Sequence, residues 1–556
     1  MEEVPIHRIH GKTLGLKANQ IKDLERLYRR KIPHDRIVSH EVARFLTEMS
    51  SEIGRQIGIL VDRKGRVAYV IVGDAKSVFL PDLEKDYPCT SHRLRGLRLI
   101  HTHLNCEPLN DEDLTDLALL RLDMVVALGV GPGGLPELAH AAHILPLNPK
   151  RDKWRLLEPQ PPAQLDIDFP GLIASLEEEI TRSQPGRSHK TKRSRAILVS
   201  VTTAPMHEAE ESLEELRQLA MTSNLNIVDT IIQRRHEVDP RFLMGKGKMQ
   251  DLVLRSMQLG ADILIFDQNL NPSQLRTITD MTELKVLDRT QLILDIFAQH
   301  AHSTDGKIQV ELAQLKYLLP RLVTKNTAMS RLTGGIGGRG PGETKLEINR
   351  RRAHDRIVHL EKMLSNSARS RKMRRSLRRR EGLPIISIVG YTNAGKSTLL
   401  NSLTNSHVLV EDKLFATLDT SSRRLRFPRE REVIITDTVG FIRDLPPELM
   451  AAFKATLEEL EDADLLLHVA DAASPYLEQH VHVVEKTLST LGLNNKPLLL
   501  ALNKADTISP ETADNLARRF GGIPICALDR ASLLPLLQKM DTTLWPEEAV
   551  CSATAQ

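Results

Sequence analysis

Eight residues constrain this chain more than any others: Gly390-Tyr391-Thr392-Asn393-Ala394-Gly395-Lys396-Ser397, set between the apolar run Ile385 to Val389 and a helical pattern continuing through Thr398. Two glycines with four residues between them, then lysine and a hydroxyl, let backbone N–H groups wrap phosphate oxygens where a strand turns into a helix. In that frame Lys396 is expected to bridge the β and γ phosphates and the Ser397 hydroxyl to ligate magnesium. An ordinary glycine-rich turn is the competing reading, and it leaves the strand-to-helix setting unexplained.

The phosphate loop does not choose between ATP and GTP; a second segment does. Asn503-Lys504-Ala505-Asp506 follows the apolar strand Pro497 to Leu502. There the Asp506 carboxylate can accept from the N1–H and exocyclic amine of guanine, a donor pair that adenine lacks. Between the two segments, Val433 to Gly440 reads as a strand ending in an acid and a glycine: Asp437 is expected to hold magnesium through water and the Gly440 amide to meet the γ phosphate, with Thr438 and Val439 lining the turn. Thr417, within Phe415-Ala416-Thr417-Leu418, is the candidate switch threonine, ligating magnesium only while the γ phosphate is present. Cys526-Ala527-Leu528 follows Ile523 to Ile525, where a small loop is expected to back the guanine, with the thiol as inert packing.

Gly440 is followed by Phe441, which cannot orient an attacking water. Hydrolysis is therefore expected to be slow or to be completed by a partner, a backbone group or a cation. Asn393 is a candidate ligand for potassium; a plain loop-stabilising asparagine is the alternative.

At 556 residues the chain exceeds one ordinary core and is expected to fold as several domains. A hairpin is expected from Ile57 to Val61 and Val67 to Val72, inside an α+β domain over 1–145. Residues 146–195, rich in proline and then in basic residues, read as a linker carrying one helical stretch near Leu172 to Ile180. Alternating strands and helices over 196–305 predict a small parallel sheet. Helical spacing from Leu292, broken by Pro320, and a second helix from Glu343 to about Arg380 predict an antiparallel hairpin over 306–382 around the glycine-rich segment Gly334 to Gly342. Residues 383–545 alternate again as a doubly wound α/β domain, and 546–556 form a tail. The fold class is thus α/β: a P-loop domain preceded by a small α/β domain with a long helical hairpin and an extra N-terminal α+β domain.

Four cysteines without the paired spacing of a zinc site or disulfide framework, an N-terminus without signal features and no apolar stretch near the ~18 residues of a membrane span lead us to expect a cytoplasmic protein. A net charge of +4 does not by itself mark a nucleic-acid binder, but eight of the twelve residues from Arg369 to Arg380 are basic, a density suited to RNA phosphates on a helix. A merely solvated face is the alternative. Few aromatics are available for base stacking, so RNA binding is expected to be led by phosphate contacts.

The segment Gly334-Gly-Ile-Gly-Gly-Arg-Gly-Pro-Gly-Glu-Thr-Lys-Leu-Glu347 closely resembles the signature that precedes the GTPase domain of HflX proteins. Leu243-Met-Gly-Lys-Gly-Lys248, Asp288-Arg-Thr290, Leu294-Asp-Ile-Phe-Ala-Gln299, Val310-Glu-Leu-Ala-Gln314, Leu318-Leu-Pro-Arg321 and Asp437-Thr-Val-Gly-Phe-Ile442 are similar to the same family, and the resemblance covers about 196–545. Asn349 departs from the usual Asp, while Arg350 to Arg352 are retained. The extra C-terminal domain of some members is expected to be missing and the first 190 residues to be additional. The resemblance implies a monomeric, magnesium-dependent enzyme that cycles between GTP and GDP, binds the 50S ribosomal subunit and its rRNA near the peptidyl-transferase centre, and splits or rescues stalled ribosomes under stress. Gly245-Lys-Gly-Lys248 reads as a structural turn with exposed lysines, RNA contact being the other reading.

In the N-terminal region His101-Thr-His103, followed by Asp111-Glu-Asp113, has the pattern of two imidazoles and a carboxylate that can bind zinc. It resembles the JAMM or RadC-like metal fold with Asp113 as third ligand, departing from it in Asn110 at the usual serine position and in spacing one residue short. A degenerate scaffold used for binding is the competing reading, and Glu52 is the candidate water-activating acid. Two further function classes stay open: a non-catalytic docking protein with GTP as structural cofactor, and a GTP-regulated metallohydrolase.

Overall fold

A computed structural model describes residues 8–546 except 82, 84–85, 88–92, 147, 149–151, 183–192, 283, 302, 323–344, 381–382, 405–420, 428–430, 439 and 444–459. For residues 246, 345–349, 368–380 and 421 only the backbone is described. The chain divides into two compact units: Met1–Ala209 with Asn226–Ile265 and Thr277–Val286, and Glu210–Leu225 with Phe266–Arg276 and Leu287–Gln556.

The first unit opens with β1 (Ile9–Gly11), α1 (Ala18–Arg26) and α2 (His40–Ile53). Helix α2 starts where the Ser39 hydroxyl accepts the Val42 N–H at 3.4 Å and stops at Gly54 in the left-handed region, with Val42, Leu46 and Met49 on its buried stripe. β2 (Ile57–Asp62) and β3 (Val67–Val72) form the expected antiparallel hairpin. β4 (Leu97–His103), α3 (Asp111–Leu119), β5 (Met124–Val130), β6 (Pro136–Ile144), β7 (Trp154–Leu156) and α4 (Phe169–Arg182) follow. The seven strands make one mixed sheet in the order β1-β3-β2-β4-β5-β6-β7.

Much of the interval read as a linker is part of this body. β7 pairs with β6, and Phe169, Ile173 and Leu176 of α4 join the main core. The prolines of 146–170 set off a short edge strand, and the apolar spacing of 169–180 proved the stronger signal.

Next come β8 (Arg195–Thr202), α5 (Met206–Thr222), β9 (Asn226–Arg234), α6 (Lys246–Leu259), β10 (Ile263–Phe266), α7 (Pro272–Thr282), β11 (Lys285–Asp288) and α8 (Arg289–His300). Their four strands lie in the order β11-β10-β8-β9, with β8 and β9 parallel. Gly245 caps α6, so the Gly245 to Lys248 segment opens a helix rather than forming a free turn. In the first unit α6 contributes Leu254 and Met257 to the core of the seven-stranded sheet.

The second unit contains α9 (Thr304–Leu322) and α10 (Lys345–Arg380), which run antiparallel. Asp305 meets Ser367 at 2.5 Å and Glu311 pairs with Arg356 at 2.7 Å, over a seam of Ile308, Leu312, Ile357 and Leu360. Helicity is interrupted after His300 and not at Pro320, which lies inside α9 two residues from its end. The glycine-rich segment 334–342 lies outside the described residues.

β12 (Ile385–Val389), α11 (Lys396–Thr404), β13 (Ser421–Arg426), β14 (Glu432–Asp437), β15 (Leu465–Asp471), α12 (Leu477–Thr490), β16 (Leu498–Asn503), α13 (Pro510–Phe520), β17 (Ile523–Pro524) and α14 (Leu534–Leu544) complete it. The sheet order is β13-β14-β12-β15-β16-β17, parallel except for β13. β12 lies between β14 and β15, where the winding reverses, and a crevice opens beyond the carboxyl end of a strand at such a point.

Candidate nucleotide site

The carboxyl end of β12 runs into the phosphate loop, and α11 begins at Lys396, so the helix N-terminus faces the loop as the sequence predicts. Gly395 adopts φ +88, and a Cβ there would lie 2.2 Å from the Asn503 amide nitrogen, so both backbone and space require glycine. That amide donates to the Ala394 carbonyl at 2.8 Å while its oxygen accepts the Ala527 N–H at 2.9 Å. One buried side chain thus joins the phosphate loop, the Asn503 strand and the Cys526 loop, three segments that sequence reasoning had placed separately around one ligand.

Lys396 is buried, and its ammonium donates to the Tyr391 carbonyl at 2.8 Å. Burial pushes its pKa down to about 8, against the opposing pull of Asp437. The Ser397 hydroxyl donates to Asp437 Oδ2 at 2.7 Å. Gly440 arrives beside them: a Cβ on it would sit 2.9 Å from the Lys396 ammonium and 2.8 Å from Thr392 Cγ2. Thr438 turns away and donates to the Ile388 carbonyl at 2.6 Å, which fixes the end of β14 against β12. Asn393 is exposed at φ +62, and Thr398 lies half-buried in α11. His468 of β15 lies beneath, held neutral by burial and by the Lys396 charge, its pKa lowered to about 4.

In the segment predicted to read the base, Lys504 takes a left-handed conformation and pairs with Asp471 at 2.7 Å. Asp506 is exposed at the short helical turn that follows. Ser532 secures the Cys526 loop by accepting the Cys526 N–H at 2.9 Å and donating back to its carbonyl at 2.9 Å. Ala527 is buried and Leu528 exposed. Phe415, Ala416, Thr417, Leu418 and Val439 lie outside the described residues.

Sequence reasoning missed how the loop is braced. The Phe441 N–H donates to the Gly390 carbonyl at 3.1 Å and the Phe441 carbonyl accepts from Thr392 at 2.8 Å, so the segment after Gly440 is zipped to the phosphate loop and the Phe441 ring is buried. The Tyr391 ring stacks on His480 at 3.9 Å, and its hydroxyl donates to Glu215 of α5 while accepting the Arg443 N–H at 2.9 Å. Arg443 in turn pairs with Glu211, and Arg289, nearly buried, pairs with Glu215 and with Asp267 at 2.7 Å. Glu215 is 176 residues from Tyr391, and nothing in spacing or periodicity announces the pair.

The predicted N-terminal cluster also assembles: the ligand atoms of His101, His103 and Asp113 all lie within 4.8 Å of one another. Burial takes His101 down to about 4. Burial also opposes a proton on His103, but the Asp113 carboxylate and the Glu107 carbonyl outweigh it and raise its pKa. Glu52 is not among them; its carboxylate accepts from Gln20 at 2.9 Å.

Three family models match in series: a GTP-binding GTPase N-terminal model over 210–298, a GTP-binding GTPase middle-region model over 300–378, and a 50S ribosome-binding GTPase model over 385–504. The chain is 46% identical over 358 residues to GTPase HflX of Caldanaerobacter subterraneus subsp. tengcongensis, which covers 64% of this chain and 82% of that protein. It is 42% identical over 313 residues to GTPase HflX of Escherichia coli (strain K12), covering 56% and 73%. Among solved structures, a GTP-binding protein from the hyperthermophilic archaeon Sulfolobus solfataricus in complex with GDP is 27% identical, with a TM-score of 0.35, covering 63% of this chain and 98% of that one. Ser397 ties the phosphate loop to Asp437 and Asn503 ties it to the strand before Lys504, and the chain belongs to the HflX family of GTPases, which bind and hydrolyse GTP.

Proposed function

We propose that this GTPase docks on the large ribosomal subunit, with the state of its nucleotide setting the affinity, and that it splits or rescues stalled ribosomes under stress. The observation that carries the switch reading is the meeting of Ser397, Asp437, Lys396 and Gly440 at one point: the groups that sense a γ phosphate already touch one another. The match of residues 385–504 to a 50S ribosome-binding GTPase model supports the choice of partner. The basic stretch of α10 supplies charge for rRNA phosphates. Among the described residues no helix is long and apolar enough to cross a membrane.

Ser397 and Asp437 offer hard oxygens 2.7 Å apart, a donor set that fits magnesium, and Thr417 is proposed to join them in the GTP state. Bound magnesium would neutralise charge on the β and γ phosphates. The chain's own part is to bind and orient. Lys396 exchanges the Tyr391 carbonyl for phosphate oxygens, loop amides from Asn393 to Ser397 cradle the phosphates, and Gly440 approaches without a side chain in the way. Asp506 selects guanine, with Lys504, Cys526, Ala527 and Leu528 enclosing the ring. Phe441, buried, leaves the attacking water to another group, and potassium near Asn393 is the cation we propose. Faster turnover in potassium than in sodium is expected; equal rates remove that role.

Co-sedimentation with 50S subunits tests the docking. More protein should pellet with a non-hydrolysable GTP analogue than with GDP, and equal pelleting contradicts nucleotide control.

A further inference from the structure

The seven-stranded sheet carries a cluster that GTP chemistry does not use. Because side chains alternate along a strand, β4 puts His101 and His103 on one face and Thr102 on the other. Thr102 meets the Ser50 hydroxyl of α2 at 2.7 Å, whereas the two imidazoles lie edge to face at 4.8 Å, between centroids, on the opposite side. Small neighbours make room for them: Gly58 and Ala127 flank His101 across the sheet, and Gly129 flanks His103. Asp113 comes down from the first turn of α3, where Oδ2 accepts the Asn110 N–H at 2.8 Å. Its two oxygens stand 3.4 Å from His101 Nε2 and 3.4 Å from His103 Nε2.

The protons make this arrangement specific. His103 Nδ1 lies 2.9 Å from the Glu107 carbonyl, which can only accept, so Nδ1 carries a proton and a neutral ring turns the Nε2 lone pair towards Asp113. Among the described residues neither Nε2 has a hydrogen-bond partner, the Asp113 oxygens standing off at 3.4 Å, and His101 Nδ1 has none either, while both rings are only 1% exposed. Electron pairs from two imidazoles and a carboxylate therefore converge in a buried space, a costly arrangement unless a cation sits among them. Zinc bonds of about 2.1 Å at tetrahedral angles place ligand atoms about 3.4 Å apart.

We propose that His101, His103 and Asp113 hold one divalent ion of the zinc class, with solvent at the fourth vertex. Two nitrogens and one oxygen favour zinc over magnesium. Glu52 sits on the helix that packs the Thr102 face and is held by Gln20, so no acid of α2 is placed to activate a bound water. The ion instead ties β4 to α3. That helix also engages α6, where Thr115 accepts from Gln250 at 2.9 Å, so the ion secures the helix through which these parts of the first unit meet.

The test is metal content of the full-length chain, freed of nucleotide and dialysed against metal-free buffer, then loaded with zinc or cobalt(II). About one zinc per chain is expected in the wild type, and less than about 0.1 in His101→Gln and Asp113→Asn. Cys106→Ser, which alters a nearby thiol bonded to Glu137, should keep full content. Tetrahedral cobalt(II) absorbs visible light far more strongly than the octahedral ion expected at the phosphate site. That absorption should survive Ser397→Ala and vanish in Asp113→Asn. A wild-type chain that takes up neither ion outside the phosphate site overturns the proposal, placing a proton where we place a metal. So does an Asp113→Asn chain with native far-ultraviolet circular dichroism that retains full content.

Discussion

The roles proposed for Asp506 and Lys396 fall on different halves of nucleotide recognition and can be separated by experiment. Asp506 is exposed and held at the start of a short turn. Its replacement by asparagine should leave the fold intact while presenting an amide donor to guanine's own donors. GTP affinity should fall at least about 100-fold, ~3 kcal/mol, and xanthosine triphosphate, whose C2 oxygen accepts that donor, should gain. Competition against a fluorescent guanine nucleotide reads both changes, and an unchanged preference contradicts the role. Lys396 predicts a proton linkage. Its pKa is lowered to about 8 by burial in the free protein, and phosphate oxygens raise it in the complex. Between the two values GTP binding takes up a proton, so affinity falls as pH rises past about 8, by up to about tenfold per unit. Calorimetry near pH ~8.5 in two buffers of different ionisation enthalpy should show that uptake, and buffer-independent heats contradict it. These two residues could be proposed from the sequence because each belongs to a short contiguous segment of recognisable spacing. Glu215, Arg443 and His480 could not, because their roles arise only from where folding brings them. An acidic residue on an amphipathic helix reads as solvated surface until a partner is seen.

The same distinction runs through the elements. Strands β2, β3, β10 and β12 were readable to within a residue because short apolar runs bounded by turn residues admit few other states. The extent of α9 was misread at Pro320, because a proline in the last turn of a helix breaks less than one in the middle. Helix α4 was recognised as a helix but assigned to a linker; flanking prolines and basic residues concealed that Phe169 and Ile173 are buried. Helix α5 holds the most consequential contacts of this kind, since Glu211 and Glu215 on one of its faces meet Arg443, Tyr391 and Arg289. Arg289→Met is expected to leave Glu215 and Asp267 facing each other without their cation, at a cost of about 3 kcal/mol. Guanidinium titration followed by circular dichroism should show the lowered midpoint, and a wild-type midpoint would mean the charges are better solvated than their burial implies.

At the scale of the whole molecule, a helical pair with a strongly basic stretch and a P-loop domain belong to one compact unit, and a seven-stranded sheet with its own histidine and aspartate cluster to another. The P-loop domain could be read from the sequence because its candidate phosphate and guanine segments are short and contiguous; in the first unit only the His101, His103 and Asp113 pattern offered a comparable signal, and the rest could be read only as a fold. The central proposal is that this GTPase, with Phe441 after Gly440 and no water-orienting side chain there, turns over faster when docked on the large ribosomal subunit. Multiple-turnover GTP hydrolysis by the full-length chain, with and without purified 50S subunits at equal ionic strength, tests this most directly. The account predicts slow turnover alone and at least a tenfold acceleration by 50S subunits; the same rate in both conditions would contradict it.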